Sequence, residues 1–175
     1  MAADDLLLRQ APHSPQAEQA VLGSMLIDPD CIKDVMDKLQ PEDFYLRANR
    51  DIFETIYHMF IYSRPIDGVT VAGEMERNGV YNDNTRDYLV QLMDVTPTSA
   101  NVMEYVKIVL DKSLMRQVAA AAGSITAMVQ EGNGDAGDML ESAEQKVYAI
   151  RRGRSAQNMV TVSMVLQDVM NHLAE

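Results

Sequence analysis

An all-α fold is what this 175-residue sequence predicts. Three observations carry the prediction. Apolar residues return at intervals of three and four along almost the whole chain. Clusters of Pro, Gly, Asn and Asp break the chain into stretches of helical length. No run alternates apolar and polar residues between turn signals, as a half-buried strand would. The predicted architecture is a compact multi-helix lobe over residues 1–98, a long antiparallel helical hairpin over 99–152, and a linker with a C-terminal linker helix over 153–175. The hydrophobic share, 47%, is enough for a real core.

The first element opens on "APHSPQAEQAVLGSMLIDPD". Ser14 is suited to the N-cap and Pro15 to the first helical position, where its missing N–H costs nothing. Glu18 falls in the first turn, where a negative charge suits the helix dipole. Ala17, Ala20, Val21 and Met25, with Leu22 and Ile27 beside them, make the apolar face, and Asp28-Pro29 stops the helix. A second helix over Pro29–Leu39 carries Ile32, Val35, Met36 and Leu39, and "QPEDFYLRANR" is a turn with Phe44 and Tyr45 tucked in. The strongest pattern follows, from Arg47 or Ala48 to Tyr62, with Ile52, Phe53, Ile56, Met59 and Phe60 on one side. After the loop "SRPIDGVT", Thr70 is the expected N-cap of a helix over Val71–Asn78, and Gly79 its natural C′ residue. Arg86–Met93 is a further short helix with Tyr88, Leu89 and Leu92 inside.

At "TPTSAN" the pattern lengthens. Ser99 is the expected cap of a helix reaching Glu131, with Val102, Val106, Val109, Leu110, Leu114, Val118, Ile125 and Met128 as apolar positions. "EGNGDAG" breaks it. A return helix over Asp138–Arg151 carries Leu140, Ala143, Val147 and Ile150 at coiled-coil-like spacing. Leu140, Val147 and Ile150 are the candidates for contact with a neighbouring copy, the alternative being that the hairpin itself uses them. After "GRSAQNM", Thr161 or Ser163 caps a last amphipathic helix whose stripe is Val162, Val165, Leu166, Val169 and Leu173. That stripe is built for docking into a groove. The pattern stops at Glu175 without a cap, Gly or Pro, so the sequence predicts that the natural chain continues, while Met1 reads as its natural start.

Charge and composition exclude several functions. Formal net charge is −11. Residues 1–100 hold eight Lys and Arg against 17 Asp and Glu. A protein that grips a phosphate backbone carries a basic stripe. Here the basic run is "RRGR", Arg151–Arg154, which reads as a cation-dressed helix end and a solvated linker. Cys31 is the single cysteine, so no disulfide framework exists. No signal peptide or membrane-length apolar run is evident, and a cytoplasmic setting is the expectation. Thirteen methionines suit an irregular core and adaptable contact surfaces.

Two motifs resemble phosphate loops and fail on chemistry. "GNGDAG", Gly132–Gly137, has the dinucleotide spacing, but that fold needs a strand before the turn and a long helix precedes this one. "GVTVAGEM" places Glu74 where a lysine must neutralise phosphate and Met75 where a hydroxyl must reach magnesium. His13, His58 and His172 are scattered and none stands at ligand spacing with Cys31. The carboxylates read as a solvated acidic face. No catalytic, cofactor or metal site is predicted in this chain.

"PHSPQAEQAVLGSMLID" resembles the N-terminal signature of the DnaB family of bacterial replicative DNA helicases. The resemblance continues in order through "EDFYLRANRDIFETI", "RPIDGVTVAGEMERNG" and "YLVQLMDVTPTSANVMEYVKIVLDKSLMRQ", and more loosely through "DMLESAEQKVYAI" into the last helix. It covers about residues 11 to 175. The chain departs from the family at "NDNTRD", where many members carry a Gly pair. The resemblance implies a non-catalytic oligomerisation and primase-docking domain. In such a parent, hairpins pair between subunits, from dimer to a hexameric trimer of dimers. Primase docks on the collar so formed. The linker helix, Thr161 to Glu175 here, packs on the motor domain of an adjacent subunit. ATP and magnesium would belong to that motor, in a parent that unwinds duplex DNA at the replication fork. The competing reading is a stand-alone helical interaction protein that regulates a replicative helicase.

Overall fold

The computed structural model describes residues 11–132 and 134–151. Among these residues there are seven α-helices and no strand. They are α1 (Pro15–Ile27), α2 (Ile32–Met36), α3 (Arg47–Ile61), α4 (Gly68–Arg77), α5 (Thr85–Asp94), α6 (Val102–Glu131) and α7 (136–151). The all-α expectation is met. The described residues fall into two compact units that divide between Ser113 and Leu114, inside α6.

α1 begins as its sequence dictates, with the Ser14 hydroxyl accepting from the Ala17 amide and Pro15 at the first position. Three other elements differ from the sequence reading. Pro29–Leu39 is not one helix: a 3₁₀ turn, Pro29–Cys31, precedes α2, which is only five residues long. Asp28 ends α1 and caps that turn through its own carboxylate, which accepts from the Asp30 amide. Asp67, not Thr70, caps α4. Its carboxylate accepts from the amides of Val69 and Thr70, and the Thr70 hydroxyl accepts from the Asp67 amide in return. Such a reciprocal box satisfies orphan amides at both of its ends. Ser99 does not cap α6 through its side chain; its hydroxyl donates to the Asp28 carboxylate and ties the start of that helix to the end of α1.

The core of the first unit is made where the apolar faces meet. Val21, Leu22 and Met25 of α1, Ile32 and Val35 of α2, Ile52, Phe53 and Ile56 of α3, Val71 and Met75 of α4, and Leu89 and Leu92 of α5 are all buried. Phe44 is buried with them, its ring 4.8 Å from that of Phe53. Each large side chain so buried contributes about 1.5–3 kcal/mol. Val102, Val106 and Val109 of α6 join the same cluster, which is why the first unit extends into that helix. Tyr45, by contrast, is partly exposed and stacks on His13, with ring centroids 4.3 Å apart.

Gly23 sets how closely α1 and α5 approach. A Cβ there would collide with the side chain of Thr96 and the carbonyl oxygen of Leu92. Only glycine lets the two backbones meet at that distance.

Candidate assembly surface

The first unit is fixed by a buried polar knot that the sequence does not announce. Glu18 is 1% exposed. Its carboxylate accepts from the Tyr45 amide at 2.8 Å, the Leu46 amide at 3.3 Å and the Asn49 side-chain amide at 2.8 Å. Leu46 is the N-cap residue of α3 and has no capping side chain of its own. A carboxylate from α1 therefore does the capping for α3. Asn49 in turn accepts from the Tyr88 hydroxyl at 2.6 Å, and that oxygen accepts from Gln19 at 3.4 Å. Burial raises the pKa of Tyr88, opposed by its hydrogen bonds to Gln19 and Asn49. The knot joins α1, α3 and α5 without doing chemistry. A second buried carboxylate, Asp43, accepts from the Gln40 amide at 2.8 Å and the Ser113 hydroxyl at 2.6 Å, which holds α6 against the turn before α3.

A cleft of about 420 Å³ lies between α3 and α4, lined by Asp51, Glu54, His58, Arg64 and Glu74 among others. Its acids are largely matched. Glu74 meets Arg64 at 2.7 Å and Arg77 at 3.2 Å, and Glu54 lies 4.0 Å from His58. No group of three or more metal-ligating side chains occurs among the described residues. No helix among them is long and apolar enough to cross a membrane.

The second unit presents the more informative surface. The C-terminal part of α6 leads through a turn with Gly132 at φ 63° and Gly134 at φ 132° into α7. Leu114, Ala121, Ile125 and Met128 of α6 are half-buried, as are Met139, Ala143 and Ile150 of α7. Their spacing of three, four and seven makes one seam on each helix. Of the residues expected at the interface, Ile150 therefore lies on the seam side. Leu140 and Val147 lie on the outer side, 62% and 52% exposed. Tyr148 lies beside them at 63%, a residue the sequence reading passed over. Met115, Val118 and Val129 are exposed on α6. The linker-helix candidates Val162, Val165, Leu166, Val169 and Leu173 lie outside the described residues.

Comparison with known proteins places this arrangement. The family model for the DnaB-like helicase N-terminal domain matches residues 10–111. The chain belongs to that family. It is 34% identical over 171 residues to the replicative DNA helicase DnaB of Mycobacterium leprae (strain TN), covering 94% of this chain and 28% of that protein. Against the corresponding helicase of Pasteurella multocida (strain Pm70) it is 32% identical over 149 residues, covering 84% of this chain and 32% of that one. The chain thus spans about a third or less of the length of these relatives. Among solved structures, the N-terminal domain of DnaB helicase from Mycobacterium tuberculosis superposes with a TM-score of 0.75 at 33% identity, covering 80% of this chain and 99% of that chain. The N-terminal domain of DnaB helicase from Helicobacter pylori, a structure described with its interactions with primase, shares the fold at a TM-score of 0.58 and 23% identity, over 66% of this chain and 90% of its own.

Proposed function

We propose that this chain is the non-catalytic assembly and primase-docking domain of a replicative DNA helicase. The observation that carries the reading is the hairpin. Leu140, Val147 and Tyr148 stand exposed along one helix, and they follow a lobe that has a buried core of its own. Exposed apolar residues collected on one face mark an interaction site. The occupants proposed are further copies of the chain, from dimer to the trimer of dimers of a hexameric parent, and primase on the collar they form. Residues 161–175, with Val162, Val165, Leu166, Val169 and Leu173, are proposed to pack on the motor of an adjacent subunit. ATP and magnesium serve that motor. The residues of this chain do not fit them, since Glu74 and Met75 occupy the positions where a phosphate loop needs a lysine and a hydroxyl. The protein acts in the cytoplasm, where the parent would unwind duplex DNA.

Titration calorimetry of this chain with the primase of the same organism tests the docking half. Saturable binding is expected. Absence of heat, together with separate elution of the two proteins in size-exclusion chromatography, would remove primase from the reading.

A further inference from the structure

The end of α4 carries a dipeptide with chemistry of its own. Asn78 is the C-cap of the helix, and Gly79 turns the chain away at φ 72°. A glycine amide has no side chain to shield its nitrogen or restrict its backbone. Set after an asparagine, that nitrogen can close a five-membered ring on the side-chain carbonyl carbon, which is one reason asparagine is thermolabile. Asn78 is exposed and lines the cleft between α3 and α4.

The folded turn holds the two groups apart in two ways. Asn78 has ψ −2°, so about its Cα–C bond the Gly79 nitrogen eclipses the Asn78 amide nitrogen and stands well away from Cβ. Ring closure needs it beside Cβ. The Gly79 N–H also donates to the Glu76 carbonyl at 3.1 Å, and the Val80 N–H to the Met75 carbonyl at 3.0 Å. These are the paired closing bonds of a Schellman turn. An amide so bonded keeps its proton until the turn opens.

We infer that Asn78–Gly79 is a spontaneous modification site gated by the opening of this turn. Once open, the Gly79 nitrogen gives up its proton and bonds to Asn78 Cγ. The Cγ–Nδ2 bond breaks, and ammonia leaves with that proton. Water then opens the ring at either carbonyl and leaves aspartate or isoaspartate. Water is the sole co-reactant. Either product sets a carboxylate at the C-terminus of α4, where the helix dipole disfavours it. It also adds negative charge to a cleft that already holds Asp51, Glu54 and Glu74. The converted helix end opens more readily than the natural one.

Ageing the whole chain at mildly alkaline pH, in buffer and in urea, tests it. Peptide mapping by mass spectrometry separates Asn78 from Asn133, the asparagine of the other Asn-Gly pair in the sequence. In urea both are expected to convert at comparable rates. In the folded chain Asn78 is expected to convert about tenfold more slowly or less, by a factor within about threefold of the hydrogen-exchange protection of the Gly79 amide. Asn78→Asp, the fixed product, is expected to speed exchange of that amide about two- to fivefold. Equal conversion of Asn78 in buffer and in urea would overturn the gate, and so would a folded rate that does not follow Gly79 exchange. No conversion of Asn78 in urea while Asn133 converts would remove the site itself. Unchanged Gly79 exchange in Asn78→Asp would show that the new charge leaves the helix end as it was.

Discussion

Glu18 ties α1 to the start of α3 through one buried carboxylate. From its position it reads as a charge placed to suit a helix dipole. In the structure it is buried and receives three N–H donors, two from the backbone just before α3 and one from the Asn49 side chain within it. Glu18→Gln would turn one acceptor into a donor facing donors. The expected loss is about 1–3 kcal/mol, seen as a lower urea midpoint with an unchanged slope. Gly23→Ala drives a methyl into Thr96 and the Leu92 carbonyl, and is expected to destabilise by a comparable amount, about 1–3 kcal/mol. Cys31 offers a chemical check. Burial, with the Asp28 carboxylate beside it, pushes its pKa up from 9.0 to about 11. Its thiolate is scarce at neutral pH, so alkylation should run about a hundredfold slower in the folded chain than in urea. The sign for stability follows: between these two values the unfolded chain has lost the proton that the folded chain keeps, so this group lowers stability as pH rises past 9.0. Equal alkylation rates in the two states would show that the fold does not hold the Cys31 proton.

Element by element, the sequence was most legible where a side chain acts on its own backbone. Ser14 and Pro15 mark the start of α1, and Gly79 marks the end of α4 at φ 72°. It was least legible where the cap comes from afar. Leu46 starts α3 with no local cap because Glu18 supplies one from 28 residues earlier in the chain. Asp67 was hidden by Thr70, since both residues of the box can cap and spacing alone does not rank them. The close of α3 was equally hidden. Ser63 sits at φ 50° and makes the same pair of closing bonds as Gly79, with the amides of Ser63 and Arg64 reaching back to Phe60 and Met59. A left-handed conformation costs a non-glycine residue about 1–2 kcal/mol. Ser63→Gly is therefore expected to raise the thermal midpoint modestly, by less than that cost because glycine also loses more entropy on folding. Gly79→Ser should lower it. A rise in both, measured by calorimetry, would contradict the shared geometry. Asp67→Ala removes the α4 cap and should cost about 1 kcal/mol. The Asp67 pKa is lowered, chiefly by the Thr70 amide bond, so its contribution is present above the ordinary carboxylate range and fades as pH falls through the depressed value.

For the whole molecule, fold class and family were readable because both are written in order along the chain. The lobe's apolar positions recur at helical spacing, and the family's motifs follow one another in order. The candidate assembly surface was only half readable. Periodicity put Leu140, Ala143, Val147 and Ile150 into a single seam, since all four fall at three- and four-residue intervals. In the structure Leu140 and Val147 are exposed with Tyr148, while Ala143 and Ile150 are half-buried. No single-helix pattern contains that choice. The charge of −11 belongs to this scale as well. Without a basic stripe the chain is expected to show no submicromolar binding to duplex DNA at physiological salt, measured by fluorescence anisotropy. The central claim is that the hairpin is an assembly surface. It is tested most directly by multi-angle light scattering of the chain across a micromolar concentration series, beside Val147→Asp checked for its helical content. The account predicts a molar mass that climbs above 19.5 kDa for the natural chain and stays at the monomer value for the variant. A natural chain that remains monomeric at high micromolar concentration, or a folded variant with the same oligomer, would contradict it.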